Sequence, residues 1–121
     1  MEKKKFDLEE RAARFGEDVI GFAEDIPKTI ITTPLIDQLI RSATSVGANL
    51  CEADCAESRK DFIHKMGICN KEAKESKHWL RMIAKAAPRI APEARMFWKE
   101  AHELNLIFVT IIKNTKEKSA N

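Results

Sequence analysis

Hydrophobic residues recur at alternating three- and four-residue steps along most of the chain, which is the spacing of one face of an α-helix. We call each such row a seam. The first seam starts beside Asp7, which with Glu10 has the spacing of a capping box and predicts the start of helix 1. Pro27 predicts the end of this helix. Helix 1 is therefore expected to bury one face, formed by Leu8, Ala12, Phe15, Val19, Phe22 and Ile26.

Capping signals predict the next two helices. Thr33 followed by Pro34 predicts the start of helix 2, because threonine caps well and proline at the first helical position loses no hydrogen bond. We expect helix 2 to fade at residues 54–57, since Ser58 with Asp61 three residues later is a new capping signal. The predicted seams are Ile36, Leu39, Ala43, Val46, Leu50 and Ala53 in helix 2, and Phe62, Met66, Cys69, Ala73, Ser76, Leu80 and Ile83 in helix 3.

Two prolines separate the third helix from the fourth. Pro88 interrupts helix 3, and Pro92 at a first-turn position begins helix 4. The seam of helix 4 is Phe97, Ala101, Leu104, Phe108 and Ile111. Four amphipathic helices with short connections and no strand pattern predict a single all-α domain over residues 1–121, an antiparallel up-down-up-down four-helix bundle. Its ends are expected to fray at about 1–6 and 114–121.

Helix 2 carries a second row beside its seam that is polar but almost uncharged. Between Leu35 and Cys51 the only charged groups are Asp37 and Arg41, so most of the circumference is unsuited to open water. We interpret the row as part of a polar network at a helix or subunit junction; a mildly polar, serine-rich exposed face is the alternative. The row is Gln38, Ser42, Ser45, Asn49 and Glu52, and the predicted structural junction is Arg41, Ser42, Ser45, Asn49, Glu52 and Trp79.

Helices 3 and 4 have more hydrophobic residues than a four-helix core requires. The excess positions lie off the seams, at Ile68, Trp79 and Met82 in helix 3 and at Leu106, Ile107, Val109 and Ile112 in helix 4. Surplus apolar surface on an otherwise polar bundle predicts a homo-oligomer.

The chain of 121 residues has a net charge of only +2, yet basic residues concentrate in one segment. Residues 58–89 contain nine Lys and Arg against three acids, a segment charge of +6. Five of these nine, with two histidines, fall on one helical face, which predicts phosphate binding to RNA or DNA. A solvated basic face is the alternative, because no aromatic residues interleave in helix 3 for base stacking. The predicted nucleic-acid-binding residues are Lys60, His64, Lys71, Lys74, His78, Arg81 and Lys85, with Gly67 in the same row.

No pattern in the sequence predicts an enzyme. Glu75 and His78 have the spacing of a di-iron ligand pair, but they lie off the seam and no second pair accompanies them. Cys51 and Cys55 are one turn apart, and Cys69 or His64 would complete a zinc site, but reduced thiols near a helix end are favoured. No base is placed beside a nucleophile, so we expect no catalytic residue, metal or cofactor.

The N-terminus has basic residues with no apolar core behind them, and no apolar run approaches the roughly 20 residues of a membrane span. We therefore expect a cytoplasmic protein with no membrane association. Its cysteines are expected to be reduced thiols.

A set of residues across nearly the whole chain resembles the bacterial four-helix bundle protein family, whose members include proteins encoded by intervening sequences within 23S ribosomal RNA genes. The matching residues are Leu39, Arg41-Ser42, Ser45, Asn49, Glu52, Ser58, Asp61-Phe62, Lys74-Glu75-Ser76, Trp79-Leu80, Glu103-Leu104 and Ile111-Ile112-Lys113. One position departs from the pattern, since Glu52 is followed by Ala53 where the family commonly has glycine.

The resemblance implies an up-down bundle that assembles into a pentameric ring. A similar protein is the accessory variability determinant of diversity-generating retroelements, which works with a reverse transcriptase and nucleic acid. The resemblance thus implies a non-enzymatic accessory protein whose partners are RNA or DNA, and a reverse transcriptase or another protein. A scaffold or adaptor ring that binds only protein is the alternative, and the modest net charge favours it.

Overall fold

The computed structural model describes the backbone of residues 3–120 and the side chains of residues 8–118. Over this backbone range the secondary structure is helical, with no strand. Four α-helices follow in order, with a single-turn 3₁₀ helix at Pro88–Ile90: α1 (Lys3–Glu24), α2 (Thr32–Asp54), α3 (Arg59–Ala86) and α4 (Ala91–Ala120). The predicted all-α four-helix bundle is confirmed.

The four predicted seams form one contiguous hydrophobic core. Most seam positions are buried, and those near the helix ends (Leu8, Phe62, Phe97 and Ile111) are half-buried against the same core. Phe108, Leu39 and Met66 are among its largest fully buried side chains. Burying each large apolar side chain stabilises the fold by about 1.5–3 kcal/mol, and this is the main force that holds the four helices together.

The start of α1 differs from the prediction. The helix begins at Lys3, four residues before the predicted cap Asp7, whose side chain lies outside the described residues. It ends at Glu24, and Pro27 follows as predicted. Lys28 Nζ donates to the carbonyl oxygens of Ala23 (3.0 Å) and Glu24 (3.1 Å), which satisfies acceptors that the end of a helix leaves without a partner.

The start of α2 was also placed wrongly. Thr33 does not cap the helix; Thr29 does, since its Oγ1 accepts hydrogen bonds from the backbone N–H groups of Ile31 (3.1 Å) and Thr32 (3.0 Å). The buried Thr32 hydroxyl accepts from Thr29 N–H at 2.9 Å and donates to the Pro27 carbonyl at 2.6 Å. With this reciprocal pair the helix begins at Thr32, two residues before the start at Pro34 that a Thr33 cap would give.

The junction between α2 and α3 follows the prediction. Helix α2 ends at Asp54, and Ser58 Oγ accepts from the backbone N–H of Asp61 at 2.9 Å. Ala53, which replaces the family's usual glycine, is helical and buried. No described residue has a positive φ, so the turn does not need glycine at this position.

Helices α3 and α4 also follow their predicted boundaries closely. Helix α3 ends at Ala86, ahead of Pro88, and Pro92 lies in the first turn of α4. Helix α4 is continuous to Ala120, so it includes most of the 114–121 tail. Fraying of that tail in solution stays a prediction.

Side-chain pairs show that α2 and α3 run in opposite directions. Between α2 and α3, Arg41 pairs with Glu75 and Glu52 pairs with Lys65, so numbers rise along one helix as they fall along the other. The first and last helices are joined by a bidentate pair in which Arg11 donates to Glu100 at 2.7 and 2.8 Å. These pairs agree with an up-and-down order.

Glycines allow α1 and α2 to approach closely. A Cβ atom added at Gly16 would lie 3.4 Å from Thr44 Cα, and one added at Gly47 would lie 3.5 Å from the Ala12 carbonyl carbon. Each glycine therefore faces the backbone of the other helix, and nothing larger than a methyl group fits between them.

Candidate nucleic-acid interface

The predicted basic row forms one exposed face of α3. Its ionisable members, Lys60, His64, Lys71, Lys74, His78, Arg81 and Lys85, are all exposed. Within residues 8–118 none of them forms a salt bridge. The row therefore presents positive charge to solvent along most of the helix, as phosphate binding requires.

Two of the three acidic residues of the same helix pair with α2. Arg41 Nη1 donates to the buried Glu72 carboxylate at 3.2 Å, and its Nη2 donates to Glu75. Arg41 Nε also donates to Gln38 Oε1 at 3.2 Å. Two of the three acids between residues 58 and 89 are thus neutralised by another helix, which leaves the outer face of α3 more basic than its sequence composition indicates.

The predicted junction residues separate into two groups. Ser42 is fully buried and its Oγ lies 2.9 Å from Ser76 Oγ, which in turn donates to the Glu72 carbonyl at 2.9 Å. Asn49 is half-buried and donates to the Ser45 carbonyl at 2.8 Å. The contact between Ser42 and Ser76 fastens α2 to α3 at one level of the bundle, whereas the Asn49 bond lies within α2.

Glu52 belongs to the second, exposed group. Its side chain retains 61 % of its accessible surface and accepts a hydrogen bond from Lys65 at 2.7 Å. That pair lowers the pKa of Glu52 and raises the pKa of Lys65. Ser45 is half-buried, with Oγ donating to the Arg41 carbonyl at 2.7 Å. Within the row only Ser42 is fully buried. Ser45 and Asn49 are half-buried, and Gln38 and Glu52 are exposed, so part of the row is open on the single chain.

Trp79 joins the network around Arg41. Its indole Nε1 donates to Glu75 Oε2 at 3.1 Å. The pKa of Glu75 is lowered, chiefly by this hydrogen bond; burial opposes the shift and Arg41 adds to it. The His78 ring meets the Trp79 ring edge to face, with centroids 4.8 Å apart. Glu75 is therefore engaged with Arg41 and Trp79 and does not pair with His78 as a metal-ligand pair would.

Helix α4 adds aromatic and basic groups that the sequence reasoning missed. Trp98 is 37 % exposed and borders a groove between α3 and α4 with a volume of about 510 Å³. Leu80, Ala84 and Ala94 line the groove with apolar surface. The remaining lining residues, which we call the rim cations, are Arg81, Arg95 and Lys99. Trp98 and Arg81 line the same groove, so the fold places an aromatic side chain of α4 at the basic row, which the pattern of α3 by itself does not reveal.

Two contacts fix the orientation of the Trp98 ring. Lys77 Nζ lies 5.1 Å from its centroid, and the His102 ring stacks on it with centroids 5.2 Å apart and planes at 16°. Lys77 Nζ is 3.1 Å from His102 Nδ1. An ammonium group can only donate, so Nδ1 of His102 is the acceptor in this contact. Burial lowers the pKa of Lys77, and the charge of Lys74 lowers it further.

The three cysteines lie in different surroundings. Cys51 and Cys55 are exposed, Cys69 is buried, and burial raises the pKa of the Cys69 thiol to about 12. Among the residues that the structure describes, no three His, Cys, Asp or Glu side chains are grouped closely enough to bind a metal ion. In the same part of the chain, no helix combines the length and the apolar character that a membrane crossing needs.

The extra hydrophobic residues differ between the two helices. On α3, Ile68, Trp79 and Met82 are all half-buried within the single chain. On α4, Leu106 and Val109 keep 55 % and 50 % of their surface exposed. The unpartnered apolar surface predicted from the sequence therefore lies mainly on α4.

Comparison with known proteins agrees with this fold. A solved structure from Bacteroides thetaiotaomicron, described as a protein of unknown function from the S23 ribosomal protein family, is similar with a TM-score of 0.78 and 27 % sequence identity. The match covers 88 % of this chain and 98 % of the other. The search of curated proteins gave no significant match. The family model for the 23S rRNA-intervening sequence protein matches residues 4–92, and the chain therefore belongs to that family.

Proposed function

We propose that the protein is a non-enzymatic, oligomeric helical bundle that binds RNA or DNA phosphates through the basic face of α3. The observation that carries the proposal is the separation of charge on this helix. Its basic row faces solvent without salt bridges to residues 8–118, whereas Glu72 and Glu75 pair with Arg41 of α2. A face of this kind binds phosphate groups without strong sequence specificity.

An oligomer carries one copy of this basic face in each subunit. The resemblance to ring-forming bundle proteins favours a homopentamer, and the exposed Leu106 and Val109 of α4 offer apolar surface for contact between copies. The open part of the α2 polar row, including Ser45, is the second surface that we assign to these contacts. A ring would repeat the basic row once per subunit and raise the avidity for a long strand.

The alternative function is a scaffold that binds only protein. The exposed apolar side chains of α4 and the net charge of +2 favour it. A pull-down distinguishes the two functions, because a nuclease-resistant protein partner supports the scaffold and a nuclease-sensitive one supports nucleic-acid binding. Neither function predicts turnover of a substrate.

Binding of labelled RNA and DNA to the intact oligomer tests the proposal. We expect binding at low salt, and we expect the triple substitution Lys71→Glu, Lys74→Glu and Arg81→Glu to abolish it by reversing charge at the centre of the row. A matched control is Lys113→Glu, Lys116→Glu and Lys118→Glu, which changes the net charge equally in exposed residues of the last turns of α4. The proposal fails if the intact oligomer shows no binding at low salt, or if both triple variants lose binding alike.

A further inference from the structure

The groove between α3 and α4 has the chemical features of a base-binding slot. Trp98, which is 37 % exposed, lines the groove, and further apolar surface comes from the buried Leu80 and Ala94. A nucleobase has two flat apolar faces and a polar edge, so it stacks well on an indole. The groove volume of about 510 Å³ is within the range of small-molecule sites, roughly 300–1,000 Å³.

The charges around the groove select an anionic ligand. The rim cations come from both helices, Arg81 from α3 and Arg95 and Lys99 from α4. None of the described residues that line the groove is acidic. Within residues 8–118 none of the three forms a salt bridge. Three exposed cations around an apolar slot complement a ligand that combines a flat apolar ring with phosphate groups.

The Trp98 ring is also held in advance of binding. Lys77 and His102 contact the ring and are joined to each other at 3.1 Å, so the indole loses little conformational freedom when a base stacks on it. The groove adjoins the basic row, since Arg81 belongs to both. A strand whose phosphates follow the row would therefore reach the groove.

We propose that this groove binds an unstacked base of single-stranded nucleic acid, with the base against the Trp98 indole and the adjacent phosphates beside the rim cations. The inference rests on the proposed function and narrows its ligand class from any phosphate backbone to single strands. The phosphates of a duplex can contact the basic row, but its bases cannot enter the groove, because they are stacked on one another.

The decisive comparison uses two strands that differ only in their bases. Fluorescence anisotropy with the full-length protein measures the affinity for labelled oligothymidine and for an abasic strand of equal length, which keeps the phosphates. Stacking of a base on an aromatic side chain contributes about 1–3 kcal/mol, so we expect oligothymidine to bind about five- to 150-fold more tightly. Trp98→Ala should remove this preference without weakening abasic binding, and Trp98→Phe should retain part of it. Oligouridine in parallel distinguishes RNA from DNA.

Each outcome of this comparison decides one claim. Equal affinity of the unsubstituted protein for both strands overturns the inference and leaves phosphate binding standing, and this arm needs no variant. If a second copy of the chain covers the groove in the oligomer, the two strands would likewise bind with equal affinity, and the inference would be overturned. Binding of neither strand at low salt removes the proposed function itself. Loss of abasic binding in Trp98→Ala, with an unchanged circular dichroism spectrum, also contradicts the inference, because it assigns Trp98 a structural role in the row.

Discussion

Arg41 of α2 and Glu72 of α3 form an ion pair between helices, with Nη1 3.2 Å from Oε1. The Glu72 side chain is only 10 % exposed, whereas Arg41 keeps 45 % of its surface. Removing the cation would leave a buried carboxylate without its charged donor, which costs more than losing an exposed pair.

We expect Arg41→Ala to lower the free energy of unfolding by about 1–3 kcal/mol in a denaturant titration. Arg81→Ala is the matched control, since Arg81 is exposed and forms no salt bridge within residues 8–118, and its change should stay within about 0.5 kcal/mol. Glu52→Ala should likewise leave the midpoint nearly unchanged, because that carboxylate is exposed. Equal effects of Arg41→Ala and Arg81→Ala would contradict this account of the junction.

The hydrogen bond from Trp79 to Glu75 predicts a pH-dependent stability. The bond holds the pKa of Glu75 below its usual value of 4.5. The stabilisation is therefore complete above about pH 4.5 and is lost as the pH falls through the lower pKa of the folded state. Trp79→Phe should cost about 1 kcal/mol through this bond near pH 7, and that part of the cost should shrink in acid. The measurement is the free energy of unfolding across a pH series.

Trp98→Phe is the control for that series. Within residues 8–118 no carboxylate accepts a hydrogen bond from the Trp98 indole, whose ring contacts are Lys77 and His102, so this substitution should not reproduce the acid dependence that arises from Glu75. A pH-independent cost for Trp79→Phe as well would show that Trp79 acts only by packing.

Substitutions at two glycines are expected to change the free energy of unfolding in opposite directions. A Cβ added at Gly67 in α3 would meet no atom within 4 Å, so Gly67→Ala should raise the free energy of unfolding by about 1 kcal/mol through helix propensity. Gly47→Leu should lower it by about 1–3 kcal/mol, because atoms beyond Cβ would meet the α1 backbone at Ala12. Thermal unfolding measures both, and a stabilised Gly47→Leu would contradict the close approach of α1 and α2.

Assembly is tested by placing charge on the surfaces assigned to it. Light scattering after size exclusion should show a homo-oligomer, with a pentamer as the expected state. Ser45→Arg and Leu106→Glu should each weaken it, since a buried unpaired charge is costly. The control is Lys118→Glu, which changes the charge at an exposed position outside these surfaces and should leave assembly unchanged. Lys28→Glu does not serve, because the Lys28 side chain caps the end of α1. A monomer at all micromolar concentrations would end the oligomeric part of the proposal.

Much of the fold followed from the sequence because burial repeats with the helical period. The seam of α3 from Met66 to Ile83 is buried at every predicted position, since only one face of a packed helix avoids water. The sequence pattern misplaced the start of α2 because Thr29 and Thr33 are both threonines, a residue type that caps helices well. The choice between them depends on the Thr32 hydroxyl, which bonds back to Pro27.

The candidate site was only half predictable for a physical reason. The basic row belongs to one helix, so its spacing alone placed it on one face. The partners of Arg41 and the position of Trp98 depend on how neighbouring helices are rotated about their axes, which a single helix does not encode. The sequence of α4 nevertheless indicates that Trp98 lies on the surface beside a cation, because Arg95 and Trp98 are three residues apart and off the seam that contains Phe97.

The salt dependence of nucleic-acid affinity tests the central claim most directly. The logarithm of the affinity of the intact oligomer for a single strand should fall linearly with the logarithm of salt concentration, because phosphate contacts release counterions. Replacing Lys71, Lys74 and Arg81 by alanine removes three such contacts in each engaged subunit. The slope should then become shallower by about 2 for each engaged subunit. An affinity that is independent of salt, or a slope that the three substitutions leave unchanged, would contradict binding through the basic face of α3.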